Sequence, residues 1–80
     1  MTLDEIIIYV YNKLKDIIED GNTESKLRRL ANDSEFAEAY FDFRDADEDD
    51  LESDEALECW DMLQNDKDYQ DAIEIIDELV

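Results

Sequence analysis

Histidine and proline are absent from this 80-residue chain, glycine and cysteine occur once each, and lysine and arginine together number seven. Without histidine the chain lacks the commonest zinc ligand and the side chain best suited to general base work near neutral pH. A lone Cys59 excludes an internal disulfide. Its place beside Trp60 on an expected apolar face reads as buried packing rather than a reactive thiol. The missing prolines and the single glycine leave few hairpin turns, and neither strand-type alternation nor an internal repeat is visible. No apolar run approaches the roughly 18 residues of a membrane span. The opening MTLDEIIIYVYNKLK carries neither a basic leader nor a small-residue cleavage site, so the expectation is a cytosolic protein.

What is present is negative charge, with 26 acidic residues and a net charge of -19. Self-repulsion on that scale opposes compaction and makes nucleic acid and anionic membranes poor direct partners. Yet 44% of the residues are hydrophobic, too many for a charged disordered chain, and they recur with a helical period. Residues 1–80 therefore read as a single acidic helical domain, close to the size at which one core can only just offset chain entropy.

Thr2 and Glu5 have capping-box spacing, and Leu3, Ile6, Val10, Leu14 and Ile17 recur three and four apart until Gly21, giving a first helix over about 3–20. Ile7, Tyr11 and Ile18 widen its buried stripe. Ile8 and Tyr9 point toward the polar side, as second-layer core or as a dimer or target contact. Asn22 and Thr23 can start a second helix, ESKLRRLA, with Leu27, Leu30 and Ala31 inward; Lys26, Arg28 and Arg29 outside suit internal pairing with nearby acids. The stretch NDS caps a third helix, EFAEAYFDFR, with Phe36, Tyr40 and Phe43 on one face and Phe41 off it. Ser53 caps a fourth over 54–64, with Ala56, Trp60 and Leu63 inward and Leu57 at the margin. Asn65 and Asp66 then lead into a fifth over 67–79, with Tyr69, Ala72, Ile73, Ile76 and Leu79 or Val80 inward. The expected fold is all-α: a compact bundle of four to five short helices with an acidic connecting segment.

That segment, DADEDDLESDE at residues 45–55, holds eight carboxylates in eleven positions and no base. Residues 1–40 hold nine acids and five bases, whereas residues 41–80 hold seventeen acids and two bases. Asp54, Glu58 and Asp61 form a column on the fourth helix, and Asp71, Glu74 and Glu78 another on the fifth. Like charges at such spacing destabilise a helix by a few tenths of a kcal/mol per pair, so stability alone does not select them. Neighbouring carboxylates on a helix face lie about 5–6 Å apart at Cβ, of the order of phosphate spacing along a nucleic-acid strand.

Other readings of the charge are a solvated face without a partner and adaptation to high salt, against which stand eight Ile and the balance of four Lys to three Arg. Asp45, Asp47 and Asp49 have the first spacings of an EF-hand calcium loop, but Asp50 replaces its glycine and Ala56 its final glutamate. A start at Asp47 places Glu58 last but Leu51 and Glu52 at positions five and six. No metal or other cofactor is implied. With no histidine, phosphate loop or nucleophile constellation, an enzyme is not expected.

In composition and layout, through the DADEDDLESDE run and the two carboxylate columns, the chain resembles the small acidic phage-encoded DNA-mimic inhibitors of the anti-restriction and anti-CRISPR type. That resemblance implies a stoichiometric inhibitor, acting in the host cell cytoplasm, that occupies the nucleic-acid channel of a defence nuclease or other basic protein. Its binding residues would be Asp45, Asp47, Glu48, Asp49, Asp50, Glu52, Asp54, Glu55, Glu58, Asp61, Asp71, Glu74 and Glu78. Ile8, Tyr9, Phe41 and Met62 would add apolar selectivity. Acidic complementarity equally suits an immunity protein that neutralises a basic nuclease toxin, and a first-helix contact suits a homodimeric adaptor.

The charge imbalance has a direct consequence for stability. Raising monovalent salt from roughly 0.02 to 0.5 M, which shortens the Debye length from about 20 to about 4 Å, is expected to raise the melting temperature followed by circular dichroism. A flat or falling response would contradict strong surface self-repulsion.

Overall fold

A computed structural model describes residues 1–21 and 23–80; Asn22, one of the two expected caps of the second helix, lies outside them. Five α-helices follow in chain order: α1 Leu3–Glu19, α2 Glu24–Ala31, α3 Ser34–Asp45, α4 Asp54–Asn65 and α5 Lys67–Leu79. A single 3-10 turn, Glu48–Asp50, lies between α3 and α4, and the described residues form no strand. The all-helical bundle expected from periodicity is the fold observed.

Four of the five helix starts are set by a short polar side chain. Thr2 Oγ1 accepts from the Glu5 amide at 3.3 Å, and Ser53 Oγ accepts from the Ala56 amide at 3.0 Å. Asp33 caps α3 through the amides of Glu35 and Phe36 at 3.0 and 3.2 Å. Asp66 caps α5 through the amides of Asp68 and Tyr69 at 2.9 and 3.4 Å, and the same residue ends α4, so one residue turns the chain between the two helices. Thr23 precedes α2 without a side-chain cap. Gly21, at φ 109°, leaves α1 in the left-handed region and donates its amide to the Ile18 carbonyl at 3.1 Å, a conformation costly to any residue with a Cβ.

The core forms around α1, which packs against α3, α4 and α5, while α2 lies across α5 and α3. Ile7, Val10 and Leu14 of α1 share one core cluster with Leu27, Phe36, Ala56, Leu63, Ala72 and Ile76, all fully buried. No charged or polar side chain is buried among the described residues. Five rings run in contact through this core. Tyr9 to Phe36, Phe36 to Tyr40, Tyr40 to Phe43 and Phe43 to Trp60 have centroid separations of 6.4, 5.6, 5.7 and 5.6 Å. Tyr11 and Tyr69 stack at 5.2 Å and tie α1 to α5. Such pairs contribute about 0.5–1.5 kcal/mol each beyond their buried area.

Two expectations need correction. On α4 the buried residues are Ala56, Cys59 and Leu63, whereas Trp60 packs against the core but is only half-buried, its ring lying 5.6 Å from Phe43 at 72°. At the end of α5, Leu79 and Val80 are 39% and 40% exposed, because the last inward position with packing partners is Ile76.

The Tyr40 hydroxyl lies 2.5 Å from Asp77 Oδ1 and 3.3 Å from the Ile73 carbonyl, and its one proton goes to the carboxylate. Asp77 Oδ2 also meets Arg44 Nη2 at 3.4 Å, so one α5 carboxylate fixes two α3 side chains. Burial, then the bond and the charge of Asp77, push the Tyr40 hydroxyl well above its ordinary range. Its stabilising share is therefore complete below about pH 10 and is lost as pH rises above that value, where the unfolded tyrosine ionises and the folded one does not. Tyr40→Phe should cost about 1–3 kcal/mol at pH 7, and the gap from wild type should narrow at pH 11 in chemical denaturation. A gap independent of pH would remove the tyrosine–carboxylate bond as its source.

A candidate protein-interaction surface

The acidic segment is held to the domain at its centre and at its far end. Leu51, the one large apolar residue in the run, is 7% exposed and joins the core cluster. The Asp4 carboxylate, half-buried in the first turn of α1, accepts from the Glu52 amide at 3.1 Å and from the Ser53 amide at 2.8 Å. One oxygen serves each amide, so the carboxylate clamps the segment where it enters α4. Within the 3-10 turn, Asp50 Oδ2 accepts from the Asp47 amide at 3.4 Å. With its leucine inside and its backbone held, the segment turns its acids outward: Asp45, Asp47, Glu48, Asp49, Asp50, Glu52, Asp54 and Glu55 are all exposed.

The α4 column of Asp54, Glu58 and Asp61 and the α5 column of Asp71, Glu74 and Glu78 are also fully at the surface. Each stands opposite the buried stripe of its own helix. The segment connects with both. It runs directly into Asp54, and at its start Arg44, next to Asp45, reaches Asp77 of α5. Arg44 also lines a groove of about 430 Å³ between α3 and α5 with Asp71, Glu74 and Glu78.

Among the described residues, ion pairing touches this surface at Arg44 and Asp77 alone. The salt bridges among the described residues are Lys26 to Asp20 at 3.2 Å, Arg28 to Glu24 at 2.7 Å and Arg44 to Asp77 at 3.4 Å. None involves any of the thirteen carboxylates singled out from the sequence. Two of the three α2 bases are thus paired with nearby acids.

A third column escaped the sequence reading. Glu35, Glu38, Asp42 and Asp45 recur three, four and three apart on α3, all are exposed, and the last of them opens the acidic segment. The spacing was legible. It was hidden because the column straddles residue 40, where the mixed-charge half gives way to the acidic half.

The four apolar positions divide. Phe41 and Met62 are 54% and 37% exposed. Ile8 and Tyr9 are half-buried and packed against the core, Tyr9 meeting Phe36 with Lys13 Nζ lying 5.5 Å from its ring centroid. Ile8 and Met62 come together in a groove of about 310 Å³ between α1 and α4, with Cys59, Lys15, Glu55 and Glu58 around it. Phe41 stands apart on α3. Ile8 and Tyr9 thus pack on the core of the central helix while keeping part of their surface outside.

Cys59 is 8% exposed, and burial, then Glu55 and Glu58, push its thiol up, with Lys15 opposing weakly. Such a thiol is a poor nucleophile. Among the described residues no three Asp, Glu or Cys side chains converge to hold a metal ion, and no helix is long and apolar enough to cross a membrane. No family model matches the chain, and no curated protein or solved structure matches it either.

The clamp is open to a direct measurement. Asp4→Ala should accelerate amide hydrogen exchange at Glu52 and Ser53 by about tenfold or more, the effect of losing roughly 1–3 kcal/mol of hydrogen bonding, while protection within α1 and α3 stays unchanged. Unaltered exchange at both amides would mean that Leu51 alone holds the segment.

Proposed function

We propose that this domain is a non-enzymatic, stoichiometric inhibitor. It offers its acidic surface to the basic nucleic-acid-binding channel of a nuclease or other DNA- or RNA-binding protein. The observation that carries this reading is the set of exposed carboxylates, free of ion pairs, borne on a segment fixed by Leu51 and Asp4. A partner lined with Lys and Arg meets carboxylates at helical spacing of about 5–6 Å and supplies the counter-charge that the chain itself withholds.

Two physical consequences separate this mechanism from ordinary apolar docking. Encounter is steered by the strongly negative field of the molecule, so association is fast at low salt and slows steeply as ions screen it. The segment is also already ordered on the surface, so binding does not bear the cost of fixing its backbone, about 1–2 kcal/mol per residue.

The test is competition. A partner retained from lysate at low salt and released by roughly 0.5 M salt, where screening reaches within a few ångströms, is expected to bind nucleic acid and to lose it when this chain is added. Changing Asp47, Asp49 and Asp50 to Asn and Glu48 to Gln should weaken binding to that partner by about tenfold or more and leave the helical circular dichroism intact. Simultaneous binding of nucleic acid and chain, or equal affinity of the neutralised variant, would refute the mechanism.

A further inference from the structure

The outer face of α3 carries a feature that general acidity does not explain. Phe36, Tyr40 and Phe43 of this helix are 1% exposed or less, whereas Phe41 is 54% exposed. Helical spacing puts Glu38 one turn before it and Asp45 one turn after it. Both acids are exposed, and neither forms an ion pair among the described residues. Arg44, also within one turn, is drawn instead to Asp77 at 3.4 Å.

The adjoining groove strengthens the case. Between the start of α1 and α3 lies a space of about 310 Å³ with Met1, Ile6 and Ala39 as its apolar lining and Glu35, Glu38 and Asp42 as its acids. The grooves between α1 and α2, α1 and α4, and α3 and α5 each include at least one Lys or Arg. The α1–α3 groove includes no Lys or Arg, so Glu38 lies beside both the ring and a groove without a basic side chain.

An aromatic face beside open carboxylates discriminates between the two basic side chains. A guanidinium is planar and weakly hydrated; it stacks on a ring while donating paired N–H groups to a carboxylate. An ammonium is a compact, strongly hydrated point charge that gains less from the ring. The geometry points to Phe41, with Glu38 and Asp45, as an arginine-receiving site for the basic partner, and to the groove beside it as the bed for a neighbouring basic side chain. This inference rests on the reading of a basic partner and adds a residue preference, arginine over lysine, on a helix face outside the acidic segment.

Nona-arginine and nona-lysine peptides titrated at low salt, followed by the aromatic resonances of Phe41 and by calorimetry, test it without the natural partner. The arginine peptide should shift the Phe41 ring resonances and bind more tightly than the lysine peptide. Phe41→Leu should reduce that arginine-to-lysine affinity ratio by roughly two- to fivefold, as expected for an exposed cation–π contact, while changing lysine-peptide affinity by less than about twofold. Glu38→Gln with Asp45→Asn, leaving the ring in place, should reduce the ratio as well. An unchanged ratio in the leucine variant, or Phe41 resonances indifferent to the arginine peptide, overturns the site. Because the peptides need no natural target, this result is separable from competition between the chain and nucleic acid.

Discussion

Twenty-six carboxylates against seven bases force the fold to be held by apolar burial with little help from charge. The three salt bridges among the described residues are all between exposed side chains, of the kind that contributes about 0–1 kcal/mol. The rest of the surface repels itself. A domain of this size tolerates that only if its interior is largely apolar, and among the described residues no charged side chain is buried and the Tyr40 hydroxyl is hydrogen-bonded. The placement of α1 follows from the same constraint. A helix with Ile6, Ile7, Val10 and Leu14 buried and Leu3, Tyr11, Ile17 and Ile18 partly covered meets α3, α4 and α5 at once. The caps contribute in the same sense, because Asp33, Asp66 and Ser53 direct side-chain oxygens at helix amides, where negative charge or a lone pair is favourable.

Repulsion alone would extend the segment between α3 and α4 into solvent. Leu51 and Asp4 oppose that by different means, one through burial and the other by accepting two backbone amides. The clamp is itself acidic, and it adds no base that would neutralise the run it holds. Surface potential is therefore preserved while backbone freedom is removed, the combination that favours both rapid encounter and a low ordering cost.

Much of the fold was legible because helical periodicity is a local signal. The fifth helix, read as 67–79, is found at Lys67–Leu79, and the fourth extends only to Asn65 beyond its expected end. Side-chain size and distance in sequence mattered where the reading failed. A wheel projection places Trp60 inward by angle, and the ring does pack on the core, but angle alone does not register that so large a side chain stays half-buried; Cys59 beside it is buried as expected. Asp4 looks like an ordinary first-turn acid complementing the helix dipole; its true partners are 48 and 49 residues away, and no spacing rule connects them. Exposure of the acidic columns could be read from phase alone. The absence of ion pairs along them depends on where the few bases fall in three dimensions.

Charge and apolar contact have separate roles on such a surface. A field from many similar carboxylates draws in any basic protein and distinguishes poorly between one Lys- and Arg-lined groove and another. Discrimination needs groups whose contribution depends on close fit, and away from Met1, Leu79 and Val80 the described residues expose few of them: Phe41 on α3 and Met62 beside Ile8 at the α1–α4 groove. Short-range contacts of that kind act mainly on dissociation and are only weakly sensitive to salt, whereas the carboxylates act mainly on association and are strongly sensitive to it. The same division explains why an aromatic ring remains at the surface of a domain that has every reason to bury apolar area. In the core it would add stability; between Glu38 and Asp45 it gives an otherwise uniform negative surface a point at which one cation differs from another.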